Sequence, residues 1–470
     1  MTRTDHRIMY VALLFLASGF FWAQSLHNGL SGDVFWQLAA GRYMIAHQMI
    51  LHRDVFSYTL YHKPWVTEEW GYEVILAALV NFMGPVGFWV MSAGLGTLLI
   101  VSLSWLLWLR GITGIKNGLL ILAATPGWLP FVKDRPQSVS YVFMVWMLII
   151  LWQGRTKPQK LWWAVPLLWV WTNIHGSFLL GFLLLVLEGM WMIIPINTLR
   201  VNTPPTRLSP KLWISVLGTA VLASFVNGNG PGLWTYSWHV TFSRRIAGII
   251  AEWQSPNFHY IFFVVMILVP MFILVLLMVF GRKKVVWPDF FLVAGLFYAT
   301  MKSVRFLPYF AIEWPILLGA MTRNWPFSRV KGLLVTPILL TLSVILVLIN
   351  PVIPPGKPLG EPVLAANYLE THHGHVFNMY SWGGYLISRH IPVFIDGRTD
   401  FYLQGHQIGQ YTSVKQLTKN PNSIWKEYNV RYVLWAPKTA VATYLLSHSA
   451  EWKPVVRTKT AILFQHRGSW

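Results

Sequence analysis

The chain has 470 residues, of which 55% are hydrophobic and only 11% charged. A soluble domain carries about 25% charged residues, so this surface could not be covered in water, and the apolar content equally excludes a disordered chain. No cysteine is present, which excludes a disulfide scaffold, thiolate metal sites and a cysteine nucleophile.

What remains is a polytopic membrane protein. The N-terminus, with Arg3 and Arg7, leads into an apolar run to about residue 23. Gln24-Ser25-Leu26-His27 is a poor cleavage site, so the run reads as an uncleaved first span. A long polar and aromatic stretch follows over 28–70. Further apolar runs lie near 86–109, 117–132, 137–153, 161–174, 176–196, 212–227, 258–280, 286–301, 306–322 and 332–350, giving about 11 spans. Residues 175–176 predict a tight hairpin or a broken helix.

Residues 351–470 read as a separate domain behind a stiff linker, Pro351-Val352-Ile353-Pro354-Pro355-Gly356. Its pattern predicts helices at 361–372, 382–389, 421–428 and 438–448. Strands are expected at 375–379, 392–395, 430–435, 452–456 and 460–466. That alternation predicts a small α/β domain. The expected layout is an all-α membrane domain over 1–350, with its first outer loop at 28–70, and an α/β domain outside the membrane.

The net charge of +20 invites a nucleic-acid reading, but the charges sort along the spans. Sixteen of the 37 basic residues fall on alternate span ends, among them Arg110, Lys116 and Arg155. The positive-inside rule makes that side cytoplasmic. The N-terminus is then inside and the C-terminal domain outside. The outer loops hold nine basic residues, and twelve follow residue 350. Asp33, Asp54, Glu68, Glu69, Glu73, Asp134 and Glu252 all fall on the outer side, beside Arg135, Arg244, Arg245, Lys302 and Arg305. Seven carboxylates and five cations on one face predict a polar site at the outer membrane surface.

A carboxylate there is suited to act as a general base on an acceptor hydroxyl or amine. The alternative is local. Asp33 stands where an N-cap belongs, Asp54 where an Asx-turn before Ser57 would need it, and Glu68 and Glu69 where a helix takes first-turn acids. His175, at a helix break, is a site candidate or a packed hairpin histidine. Glu188 and Glu313 lie within spans and need a partner or a cavity. Asp396 and Arg398 follow a predicted strand, where ligands often sit in α/β sheets, although Asp-Gly also simply makes a turn. The outer arginines suit a phosphate anion, and charges at span ends also serve as anchors.

An aspartate just after the first span, in a long outer loop, resembles the GT-C membrane glycosyltransferases, including protein O-mannosyltransferases and aminoarabinose transferases. Within that superfamily the chain looks like a largely uncharacterised bacterial group. The matching residues are Gly32-Asp33-Val34-Phe35-Trp36-Gln37-Leu38, Asp54-Val55-Phe56-Ser57-Tyr58-Thr59 and Trp65-Val66-Thr67-Glu68-Glu69-Trp70. Arg135-Pro136-Gln137, Trp171 to Ser177, Glu252-Trp253, Arg305-Phe306, Trp382 to Tyr385 and Asp396 to Asp400 also fit.

The resemblance implies a bacterial cell-membrane enzyme with a polyprenyl-phosphate-linked sugar donor, an inverting transfer and an unspecified glycan, lipid or protein acceptor. It implies no nucleic-acid partner. Asp33 becomes the catalytic base and Asp54 a second acid that binds the acceptor or orients the site. Arg135, Arg305, Lys302, Arg244 and Arg245 are candidates for the donor phosphate. The branch that uses a divalent metal ion shows closely spaced acids, whereas Asp33 has Gly32 and Val34 beside it. A metal-independent reaction is therefore favoured, with Asp54, Glu68 or Glu252 available to complete a metal site. Two other classes compete: a flippase or transporter of lipid-linked glycans, and a non-catalytic lipid-binding scaffold of the same fold.

Overall fold

The computed structural model describes residues 3–27, 30–193, 209–280, 287–323, 360–468 and 470. The expected span at 332–350 and the linker at 351–356 lie outside these. In chain order the helices of the first half are α1 (Arg3–His27), α2 (Gly32–His47), α3 (Trp70–Met83), α4 (Val86–Leu109), α5 (Ile115–Trp128), α6 (Pro136–Gly154), α7 (Ala164–Thr172) and α8 (Phe178–Ile193). They continue as α9 (Pro210–Ser224), α10 (Gly232–Thr241), α11 (Arg244–Ile249), α12 (Ile261–Val279), α13 (Trp287–Lys302) and α14 (Leu307–Met321).

The C-terminal segment holds α15 (Val363–Thr371), β1 (His375–Asn378), α16 (Gly383–Ser388), α17 (Thr399–Tyr402), α18 (Gln407–Gln416) and α19 (Pro421–Glu427). It ends with β2 (Val430–Trp435), α20 (Ala440–Ser447), β3 (Trp452–Arg457) and β4 (Ile462–His466).

Contacts divide the chain into two units, residues 1–28 with 88–355, and residues 29–87 with 356–470. The first is a helical bundle in which α1 packs on α5, α7 on α9, and α13 and α5 on α14. Among the described residues, α1, α4, α6, α12 and the helix ending at Met321 are long and apolar enough to cross a bilayer. Close approach in this bundle relies on small residues. A Cβ on Gly96 would stand 2.4 Å from the Phe21 ring. α12 widens to a π-turn over Val264–Leu268, just before Pro270. Proline has no N–H for the carbonyl four residues back, and a π-turn absorbs that missing bond.

The second unit is built from two distant stretches of chain. Its sheet runs β1-β2-β4-β3, with β1 parallel to β2 and the other pairs antiparallel. Val376 stands opposite Tyr432, and Leu434 opposite Leu463. The strand expected at 392–395 is reduced to single bridges, in which Val393 pairs with Val376 on one side and with Ser57 on the other. This segment therefore stitches the first loop to the sheet edge. The Tyr58 amide donates to the Val393 carbonyl at 3.2 Å, and the Thr59 hydroxyl to the Phe394 carbonyl at 2.9 Å.

The polar 28–70 stretch is not all loop. α2 occupies its start, packs on α3 and receives α16. The α16 contact depends on Gly384, where a Cβ would lie 2.5 Å from the Gly32 carbonyl oxygen.

Candidate functional site

In the second unit the site begins at the first turn of α2. Ser31, extended at φ −68° and ψ 146°, holds the N-cap position. Asp33 is therefore not the cap expected from the sequence but lies two residues inside the helix. There its carboxylate lies in the first turn, at the positive end of the helix dipole. Asp33 is half-buried, with the Trp36 indole Nε1 donating to Oδ1 at 3.4 Å.

The same oxygen rests on the backbone of the 396–400 turn, so closely that a Cβ on Gly397 would fall 2.1 Å from it. Tyr380 borders this point. Its hydroxyl donates to the Gly397 carbonyl at 2.9 Å and pairs with the Thr399 hydroxyl. Burial pushes the Tyr380 phenol up, and the negative charge of Asp33 adds to that.

Behind this surface Arg398 clasps the first loop to the tail. Its Nη1 donates to Asp54 at 2.7 Å, and its Nε and Nη2 donate to Asp396 at 2.8 and 2.6 Å. Trp65 and Phe401 flank the guanidinium, at 4.5 and 4.9 Å. The Tyr402 hydroxyl donates to Asp396 at 2.7 Å. Asp54 also accepts the Phe56 amide at 3.2 Å, the Ser57 amide at 2.9 Å and the Ser57 hydroxyl at 2.5 Å. The Asx-turn expected at Asp54 is thus present. Asp54 is at 0% exposure with both oxygens engaged, so it holds the loop. Asp396 and Arg398, at 0% and 2%, are equally enclosed.

Nearby, burial raises Glu73 to about 8, a shift that Arg398 partly offsets. Glu69 takes the N-cap position of α3 and accepts the Gln37 amide at 3.0 Å, while Glu68 lies in the turn just before it.

In the first unit two cations stand beside the 252–255 and 302–305 loops. Arg135 pairs with Glu252 at 2.7 Å. Arg305 Nη2 donates to His175 Nε2 at 3.1 Å and lies over the Trp253 ring at 4.9 Å. Arginine brings only donors, so His175 Nε2 is the acceptor and the ring is neutral. Its Nδ1 stands 2.7 Å from the Ser177 hydroxyl and 3.2 Å from the Ser177 amide nitrogen. His175 lies between α7 and α8, which fits the expected helix break. Lys302 reaches over Tyr298 at 5.9 Å. Arg244 and Arg245 open α11, with Arg245 exposed.

No protein-family model matches the chain, and no curated protein matches it. Solved structures do. The apo oligosaccharyltransferase of Archaeoglobus fulgidus superposes with a TM-score of 0.59 at 9% identity, covering 93% of this chain and 70% of that one. AglB from the same organism, in complex with an inhibitory peptide and a dolichol-phosphate, gives 0.56 at 10%, covering 91% and 69%. ArnT from Cupriavidus metallidurans, bound to undecaprenyl phosphate, gives 0.56 at 14%, with 98% of both chains covered. Both proteins are GT-C superfamily members. The chain has the GT-C fold.

Among the described residues no three His, Asp or Glu side chains gather to hold a divalent metal ion. Asp54 is committed to Arg398, and Glu252 to Arg135. Several residues of the GT-C frame escaped the sequence reading. Tyr380 reaches its place only through packing between distant segments, while Glu73 was named only among the outer acids and Thr399 only within its motif. Trp253 and Ser177 lay within recognised motifs but drew no separate notice. Ser140, within hydrogen-bond reach of His175 at 3.3 Å, carried no sequence signal.

Proposed function

We propose that this protein is a membrane glycosyltransferase that moves a sugar from a polyprenyl-phosphate carrier to an acceptor at the outer membrane face. The N-terminus lies in the cytoplasm and the C-terminal α/β segment outside. The observation that carries this reading is the half-exposed Asp33 at the start of α2, held against Gly397 in a chain of GT-C fold. The solved relatives that carry dolichol-phosphate and undecaprenyl phosphate support a lipid-phosphate donor.

Asp33 is the general base. It takes the proton of the acceptor hydroxyl or amine as that atom attacks the anomeric carbon. The bond from that carbon to the carrier phosphate breaks, the phosphate leaves with the electron pair, and the configuration inverts. Arg305 is the leading phosphate ligand. Its described partner is a neutral imidazole, so its charge is not cancelled there, whereas Arg135 already faces Glu252. The role of Asp54, Asp396 and Arg398 is to position the loop that bears Asp33.

The test is transfer from polyprenyl-phosphate sugars by purified, folded protein. Asp33→Asn should lower turnover by about 10²–10⁴-fold with donor affinity retained. Unchanged turnover would refute the assignment. Arg305→Ala should raise the donor KM, with Arg305→Lys recovering part of it. If both variants leave KM alone, the phosphate role passes to another cation.

A further inference from the structure

The first unit holds a second polar feature, built from other residues than those above. A cavity of about 330 Å³ lies among α4, α6, α8 and α13, and Arg110, Trp152, Arg155, Glu188 and Asp289 line it. Leucine, methionine and aromatic side chains make up most of the remaining wall. Arg110 follows the C-terminus of α4, Arg155 that of α6, and Glu188 lies near the C-terminus of α8, while Asp289 is in the first turn of α13. All four ends fall on the side that the basic residues mark as cytoplasmic.

The charges are paired but not exhausted. Arg155 binds Glu188 through two bonds of 2.7 Å, and Arg110 binds Asp289 at 2.5 Å. Trp152 lies under both guanidinium groups, at 4.4 Å from Arg110 and 5.6 Å from Arg155. Arg110 is 8% and Arg155 7% exposed, yet Arg110 Nε and Arg155 Nη1 have no hydrogen-bond partner among the described residues. Both nitrogens are closed to solvent, so the cavity meets the two guanidinium groups through their other atoms. Glu188 and Asp289 line the same space with carboxylates, so the cluster offers matched positive and negative groups.

We infer that this cavity binds the headgroup of a zwitterionic aminophospholipid at the level of the inner leaflet. The phosphate lies against the Arg110 and Arg155 guanidinium groups that line the cavity, the ammonium faces Asp289 and Glu188, and an acyl chain lies along the apolar wall. A purely anionic lipid would satisfy the donors but crowd the carboxylates. A choline lipid would fill the space without an N–H to donate. This site is independent of the glycosyltransferase reading.

The experiment uses full-length protein, delipidated in detergent and offered phosphatidylethanolamine, phosphatidylcholine or phosphatidylglycerol with identical acyl chains. Retained lipid is counted by native mass spectrometry. Phosphatidylethanolamine should be retained about tenfold over either alternative, as expected for one charge-assisted hydrogen bond. Leu187→Trp and Met190→Trp, which fill the cavity without touching a charge, should each abolish the preference. Equal retention of the three lipids by the parent protein overturns the inference, as does a preference for phosphatidylglycerol. A preference that survives both folded tryptophan variants places the lipid elsewhere and overturns it too.

Discussion

Arg398 is the residue on which the second unit turns. It is 2% exposed and bridges two fully buried aspartates. Removing one partner from such an arrangement leaves buried charge uncompensated, at a cost of about 3–5 kcal/mol. Arg398→Met should therefore lower the midpoint of thermal unfolding sharply. Arg398→Lys should not restore it, because an ammonium cannot reach both carboxylates through a planar fork. Glu73 gives a different signal. It keeps its proton in the folded protein to about pH 8, against 4.5 for the free side chain. Between those values the folded state binds one proton more than the unfolded state, so its contribution to stability falls as pH rises through the window. Glu73→Gln removes that slope, and its melting temperature should gain on the parent as pH goes from about 5 to about 9. An unchanged difference across that range would place Glu73 in a more polar setting. Asp33 was singled out by its place just after the first span, although the Gly397 backbone that it rests on lies in the distant tail. Arg398 could not be assigned its role, because Asp54 lies 344 residues away.

At the scale of elements, the tail was largely legible. α15, α19, α20 and the strands β1 to β4 follow hydrophobic alternation bounded by polar turns. α18 was missed because Gln407–Gln416 is rich in Ser, Thr, Gly and Gln, with only Ile408, Tyr411 and Val414 at helical spacing. The short piece at 392–395 looks like a strand in composition, yet it finds a partner for Val393 alone. α2 was hidden inside a stretch read as loop, because its aromatic and polar residues do not show a single apolar stripe. Its seat against α16 makes a sharp prediction. Gly384→Val forces side-chain atoms onto the Gly32 carbonyl, and overpacking of this kind costs about 1–3 kcal/mol. The expected readout is a lower melting temperature together with reduced transfer, since Asp33 follows Gly32 directly. Gly409→Val, at a glycine with open space around it, should leave activity nearly intact.

At the scale of the whole molecule, composition pointed to a membrane protein, in keeping with the five described helices long and apolar enough to cross a bilayer, and motif resemblance pointed to the fold that the solved structures share. Chain order did not reveal that residues 29–87 group with 356–470. No local pattern encodes a partnership across that distance. A protein truncated after the membrane helices should consequently expose its first loop. Limited proteolysis is expected to cut within 48–69, between α2 and α3, in the truncated form and to spare it in the full chain. Equal protection would mean that the loop folds on its own.

This discontinuity also sets a schedule for biosynthesis. At about 5–20 residues per second, the ribosome takes roughly 20–70 s to travel from Asp54 to Arg398. Throughout that interval the segment bearing Asp33 has already emerged, while the guanidinium that locks it does not yet exist. That loop can therefore mature only after Arg398 has been made. A product terminated before Arg398 would carry an unclasped loop, a ready mark for proteolytic disposal.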